Sequence, residues 1–254
     1  MEQGSKEWLE WRRQGIGASE SAALLGLCPY KTARQLFNEK LTGSKDEGNA
    51  ALFRKGHETE AAVRARLELT SGLEYPPALF EHPEFPFIRA SLDGWCKDAE
   101  PGKRGMEIKY VGKDVNTIKP HHLIQVQHQM LVTGEPAWTY VMCHEGAPMV
   151  MTIKEDPRLQ SKILSACWKF WDEVQRNVEP EAQARDWVPD HRREMIAAVE
   201  DMREAKTTAA RTACRERVLE LAQHPRSVCN GVKISIDPAR VTFPKPGGAD
   251  VPND

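Results

Sequence analysis

The chain has 254 residues, 40% of them hydrophobic and 28% charged, with a formal net charge of −2. That size and balance suit one large α/β domain or a domain with an appendage. No apolar run approaches the ~18 residues needed to span a membrane, and the polar start MEQGSKEWLEWRRQ lacks the apolar stretch of a secretory leader, so a cytoplasmic, membrane-free protein is expected.

In chain order, SKEWLEWRR (5–13) reads as a helix with Trp8 and Trp11 on one face. GIGASESAALLG reads as a loop, then a helix starting near Ser19 and stopping at Gly26. Pro29 leads into a short helix over roughly 31–41, closed by Gly43. Residues 49–71 form one long helix closed by Gly72, with Leu52, Gly56, Val63 and Leu67 at helical spacing. Glu60 falls on that same stripe, where a carboxylate is costly unless paired or bound to a cation.

Residues 78–92 read as strand, prolines, strand, and 104–111 as a further strand after the Pro-Gly turn chemistry of WCKDAEPGKRG. Residues 118–133 form a helix between Pro120 and Gly134. WTYVMCH and MVMTIKE pair around 145–148, and 157–178 is helical up to Pro180. Composition then shifts: 181–223 is charged, alanine-rich and helical, GVKISIDPARVTF (231–243) is a small hairpin, and 244–254 reads as a disordered tail. The expected organisation is therefore a domain over 1–180, a helical extension with a hairpin over 181–243, and a tail. The order of elements predicts an α/β fold with a mixed central sheet flanked by helices.

Six scattered cysteines form no C-x-x-C pair, which argues against structural zinc and close-spaced iron–sulfur ligation. The glycines form no P-loop, since no G-K-[ST] follows them. His121, His122 and His128 read as surface histidines rather than a zinc set. The near-neutral charge neither marks nor excludes a nucleic-acid partner, because acids gathered at a metal site offset basic residues elsewhere.

The chemistry concentrates in SLDGW…MEIKYV. Alternate residues of a strand share a face, so Glu107 and Lys109 point one way and Ile108 the other. Antiparallel pairing with the preceding strand brings Asp93 to Glu107. Two crowded carboxylates repel, a divalent cation relieves the repulsion, and hard oxygen ligands suit magnesium or manganese. Lys109 beside such an ion can orient or help deprotonate a water and stabilise a pentavalent phosphate. Glu60 upstream and Gln125 downstream add to the constellation. An exposed hairpin with a Glu–Lys pair on its solvent face is the bland alternative.

With Trp8, Arg12 and GIGAS, then GHETEAAVRARLELTSG, ASLDGW, MEIKYV and QVQHQMLVTG, residues 5–178 resemble the PD-(D/E)xK nuclease superfamily, specifically its lambda-type exonuclease and YqaJ viral recombinase family. Leu92-Asp93 stands where the signature has Pro-Asp; the proline carries no chemistry. The resemblance implies a restriction-endonuclease-like core. It implies that Asp93, Glu107 and the Ile108 backbone carbonyl ligate metal, with Glu60 completing a second site, for two Mg2+ ions replaceable by Mn2+. Lys109 would be the catalytic lysine and Gln125 would lie near the water or the lysine. Arg12, Ser19 and Ser91 would hold a 5′-terminal phosphate, in keeping with the guanidinium's bidentate chemistry and the anion preference of a helix start.

The resemblance further implies 5′→3′ digestion of linear double-stranded DNA to 5′-mononucleotides, leaving 3′ overhangs for a single-strand annealing partner. It implies a ring-shaped homotrimer and a phage or prophage setting in a bacterial cell. Two other readings compete. One is another nuclease of the same fold: an endonuclease, which would nick closed circles, or a Cas4-like end-processing enzyme, against whose iron–sulfur type the missing close-spaced cysteines argue. A non-catalytic DNA-binding module would show no magnesium-dependent nucleotide release.

Overall fold

The structure is a computed structural model describing residues 1, 3–43, 50–111, 117–144 and 148–244, with 50–59 by backbone alone. The side chain of Leu52, the connection expected at 145–147 and the tail beyond Pro244 therefore lie outside what is described. The chain divides into two compact units, Met1–Pro180 and Glu181–Asp254.

The first unit opens with helix α1 (Lys6–Arg13), capped by the Ser5 hydroxyl, which accepts the Trp8 N–H at 3.2 Å. The stretch read as a loop after it contains a two-residue strand, β1 (Ile16–Gly17), and then a 3-10 turn (Ala18–Glu20) leading into a four-residue helix, α2 (Ser21–Leu24). Helix α3 (Ala33–Thr42) carries a Thr32/Gln35 capping box and ends at left-handed Gly43. Helix α4 (Ala50–Ser71) and strands β2 (Ala78–Glu81), β3 (Ile88–Leu92), β4 (Gly94–Trp95) and β5 (Gly105–Tyr110) follow.

Helix α5 (Pro120–Thr133) starts on Pro120 and closes at left-handed Gly134. Strands β6 (Ala137–Cys143) and β7 (Met149–Lys154) lead to helix α6 (Pro157–Gln175), capped by Asp156. Asn177, at φ 52°, turns the chain out of α6 three residues before Pro180, so the helix stops earlier than the proline alone suggests.

Two mixed sheets form the centre: β1-β3-β2, with β1 parallel and β2 antiparallel to β3, and β4-β5-β6-β7, with only β5 and β6 parallel. Helix α4 packs on β5 from one side, through Val63 and Leu67, where Met106, Ile108, Val141 and Cys143 also point. Trp138, Tyr140 and Met142 point to the other side, into the larger core shared with Ile124, Met130, Ile163 and Phe170 of α5 and α6. Each fully buried side chain of this size contributes about 1.5–3 kcal/mol. Gly105 is required by that packing: a Cβ there would lie 2.2 Å from the Trp138 ring.

The second unit holds strand β8 (Val188–Pro189), helices α7 (Arg193–Glu204) and α8 (Thr208–Leu221), and strands β9 (Arg226–Cys229), β10 (Val232–Ser235) and β11 (Arg240–Thr242). The expected hairpin is only β10–β11. The full sheet is four-stranded, ordered β11-β10-β9-β8, and residues 181–192 are not helical. Its buried face carries Cys229, Val232 and Ile234 against Met195, Ala198, Val199 and Val218 of the two helices.

Candidate active site

Gly94 pairs with Met106, antiparallel, and this fixes Asp93, the single residue between β3 and β4, beside β5. Asp93 Oδ2 accepts the Ile108 backbone N–H at 2.8 Å. Alternation on β5 turns Glu107 and Lys109 to the α5 side, where Lys109 forms an ion pair with Glu107. Gln125, one turn along α5 from Gln129, donates to Glu107 Oε1 at 2.6 Å, and Gln129 donates to Glu107 Oε2 at 2.5 Å. Glu107 is fully buried, yet both its oxygens are satisfied by these amides and the ammonium.

Burial pushes the Asp93 carboxyl well above the ordinary carboxylate range. Glu107 and Glu60 push it further, while Lys109 and the Ile108 N–H pull the other way. Glu60 on α4 is thus close enough to be felt at Asp93, as the apolar stripe suggested. Burial works against the Lys109 charge, but Glu107, Asp93 and Glu60 outweigh it and hold the ammonium protonated above the usual lysine range. Arg64, one turn on from Glu60, donates to the Asp93 backbone carbonyl at 2.7 Å and ties α4 to this corner.

Among the described residues, no three His, Cys, Asp or Glu side chains already form a metal-holding group. The donor chemistry nevertheless fits a hard divalent ion: all the acids offer oxygen, and burial first, then the neighbouring Glu107, disfavours a bare negative charge on Asp93. Asp93 and Glu107 are the residues that would hold it, and the charge of Glu60 is felt at Asp93.

The residues expected at a 5′ phosphate gather at a second corner. The Trp8 indole N–H donates to Ser91 Oγ at 2.9 Å, and the Arg12 guanidinium lies 4.9 Å from the Trp8 ring centroid. Arg12 donates to Ser19 Oγ at 3.4 Å and to Glu20 Oε1 at 2.9 Å. Two corrections follow. The turn around Ser19 is a 3-10 turn running into a four-residue helix, too short for a substantial dipole. The Gly17 N–H at its start already donates to Glu20 Oε2 at 2.8 Å. Glu20, which no motif singles out, also receives Lys40 Nζ at 2.7 Å. Burial works to raise its carboxyl, but Lys40, Arg12 and the Gly17 N–H outweigh that and hold it at about 2.

Of the three histidines expected on the surface, His128 is in the core and His121 and His122 are half-buried. His128 is fully buried, with Nδ1 2.5 Å from Ser21 Oγ and Nε2 3.0 Å from the Arg89 carbonyl. Burial holds it down at about 4, so it is neutral: Nε2–H donates to the carbonyl and Nδ1 accepts the Ser21 hydroxyl. His122 Nδ1 sits 2.7 Å from the Tyr140 hydroxyl. His121 and His122 do not point apart; their rings meet edge-to-face at 4.3 Å. The partners of His122 and His128 are core groups, Tyr140, Ser21 and the Arg89 carbonyl, whereas His121 packs edge-on against the exposed Tyr30 ring.

A mixed α/β fold with buried acids and a lysine converging where two short strands meet is the arrangement of PD-(D/E)xK-related nuclease-like proteins. Residues 7–136 match the YqaJ-like viral recombinase domain. The chain is 27% identical over 265 residues to the uncharacterized protein YqaJ of Bacillus subtilis (strain 168), covering 95% of this chain and 81% of that one. It is similar in structure to an alkaline exonuclease, LHK-Exo, from Laribacter hongkongensis, solved alone and in complex with dAMP. In both cases the TM-score is 0.58 and the identity 25%, over 69% of this chain and 95% of that chain. The chain belongs to the YqaJ-like viral recombinase family.

Proposed function

We propose that the chain is a metal-dependent deoxyribonuclease with a PD-(D/E)xK core, digesting linear double-stranded DNA 5′→3′ to 5′-mononucleotides. The observation that carries this reading is the convergence of Asp93, Glu107 and Lys109 with Gln125 and Gln129 in one buried corner. Family membership and the likeness to an exonuclease solved with a deoxynucleoside monophosphate support the exonuclease sense over an endonuclease.

In this reading Asp93, Glu107, the Ile108 carbonyl and Glu60 hold up to two magnesium ions, for which manganese can substitute. Bound there, the metal supplies Lewis acidity at the scissile phosphate and at the water. Glu107 is held by Gln125 and Gln129, so its carboxylate is oriented before DNA arrives. Lys109 enters with its proton in place and donates from Nζ to the developing negative charge. Asp93 keeps its orientation through the Ile108 N–H.

Arg12, with Ser19 and Ser91, takes the 5′ phosphate. Glu20 holds the guanidinium ready, and the phosphate competes with Glu20 for it. The 3′ overhang left behind would pass to a single-strand annealing protein. A homotrimeric ring around DNA, in a bacterial cell carrying phage or prophage genes, is the assembly and setting that go with this reading. No helix among the described residues is long and apolar enough to cross a membrane.

The test is digestion of a linear duplex labelled separately at its 5′ and 3′ ends, with magnesium, beside a covalently closed circle. Early release of the 5′ label as mononucleotide with the circle intact is expected. Nicking of the circle would favour the endonuclease, early loss of the 3′ label would reverse the polarity, and no release with either metal would leave only a binding module.

A further inference from the structure

The outer face of the four-stranded sheet in the second unit is chemically unlike the rest of that unit. Because Ser227, Cys229, Val232 and Ile234 are buried, alternation puts Arg226, Lys233, Ser235, Arg240 and Thr242 on the opposite face. Register groups them: Ser235 stands opposite Arg226 on β9 and opposite Arg240 on β11, and Lys233 stands opposite Thr242. Arg226 and Arg240 are thus two strand spacings apart, roughly 10 Å.

Trp187, just before β8, joins them. It is 39% exposed, with the Arg226 guanidinium 5.5 Å and Lys233 Nζ 5.4 Å from its ring centroid. Among the described residues, none of Arg226, Lys233 and Arg240 is paired with a carboxylate, whereas Arg192 in the same unit is paired with Asp190. Six acids of the unit, Glu194, Glu200, Asp201, Glu204, Glu216 and Glu220, lie on α7 and α8; of those near the sheet, Asp186 is buried, Asp190 is paired with Arg192 and Asp237 lies in the turn between β10 and β11. The unit is nearly neutral in sum, but its sheet face is cationic.

We propose that this sheet face binds a single strand of DNA, with Trp187 as a stacking platform and Arg226, Lys233 and Arg240 on successive phosphates. Three features select that occupant. Unneutralised cations a few residues apart match a repeating anion. An exposed indole among them offers a flat partner that only unpaired bases can use. Lys233 over the ring can swing to phosphate when a base takes its place, and Arg226 keeps further N–H groups for phosphate beside its 3.3 Å bond to the Arg185 carbonyl. The choice of DNA rests on the proposed nuclease reading, in which digestion leaves a single strand; the cationic, aromatic chemistry of the face does not depend on it.

The test uses the full chain in EDTA, which prevents cleavage, and follows the fluorescence anisotropy of a labelled oligothymidine of about 20 nucleotides. Arg226→Glu with Lys233→Glu should weaken binding at moderate salt by about tenfold or more, and should flatten the log K against log salt slope by about 1.4, the value for two single-strand phosphate contacts. Trp187→Ala should cost at least about fivefold, with Trp187→Phe restoring most of it. Binding of a duplex of the same length should change little.

Unchanged single-strand affinity in the charge-reversed variant would overturn the proposal, as would an equal loss on duplex or a wild-type chain that does not bind the oligonucleotide. Both variants sit on the surface, and circular dichroism melts check that they fold. The magnesium-dependent digestion described above is run on the same preparations. Binding with the expected variant effects but no digestion would sink the nuclease reading and leave the sheet face standing, and the reverse pattern would do the opposite.

Discussion

Replacing Glu20 by Gln tests the physical account of the corner that presents Arg12. The Glu20 carboxylate receives Lys40 at 2.7 Å, Arg12 at 2.9 Å and the Gly17 N–H at 2.8 Å, and the Lys40 side chain is only 4% exposed. The change strands a buried ammonium, and breaking a buried pair from one side costs about 3–5 kcal/mol. The titration gives a similar size: a fall from 4.5 to about 2 corresponds to about 3 kcal/mol at 1.36 kcal/mol per pH unit. Burial also lowers Lys40, which offsets part of that gain while both are charged.

For a unit of this size, 3–5 kcal/mol is about 6–20 °C in Tm, read by thermal and urea unfolding. The sign with pH follows from a depressed carboxyl. The contribution is complete above pH 4.5 and is lost as pH falls through about 2, with about 1.4 kcal/mol left at pH 3. The gap between wild type and Glu20→Gln should therefore close on acidification. A loss below about 1 kcal/mol at neutral pH, or a gap that does not narrow in acid, refutes the reasoning.

Three further outcomes are expected. Lys109→Ala should lower cleavage by ~100-fold or more while DNA binding in EDTA persists; loss of both together would deny the lysine a chemical role. Arg12→Ala should erase any preference for 5′-phosphorylated over 5′-hydroxyl ends in a competition digest, and an unchanged preference would remove Arg12 from the phosphate corner. Gly105→Ala should destabilise by about 1–3 kcal/mol and alter the near-UV signal of Trp138, whose ring leaves no room for a methyl group; an unaltered urea midpoint would contradict that packing.

What was legible in the sequence was local. Glu107 and Lys109 share a face because strand alternation puts them there, and Pro120 and Gly134 mark the ends of the helix that supplies Gln125. Glu60 could be suspected because a charge on an apolar stripe needs a reason. The misses are tertiary. The two residues of β1 are a strand only because the Phe87 carbonyl and β3 are there to receive them. Gln129 and His128 sit in a polar-looking run, and nothing local reveals that Glu107, Ser21 and the Arg89 carbonyl meet them in the interior. In the second unit, the four-residue RSVC run is too short to read as a strand, so the sequence shows only a hairpin where the fold has a four-stranded sheet.

Glu20 carries the most consequence among these misses. Its partners come from three places: the preceding helix, its own turn, and Lys40 twenty residues on. A carboxylate held by an arginine, an ammonium and a backbone N–H occupies the kind of pocket a phosphate would choose. The corner is therefore already organised around a negative charge before any DNA arrives. In the proposed reading a 5′ phosphate competes with Glu20 for Arg12, while Lys40 and Gly17 keep the carboxylate in place. In that reading one side chain bears both on the stability of the fold and on how Arg12 is presented, so Glu20→Gln should lower the melting temperature and alter the preference for 5′-phosphorylated ends in the same preparation.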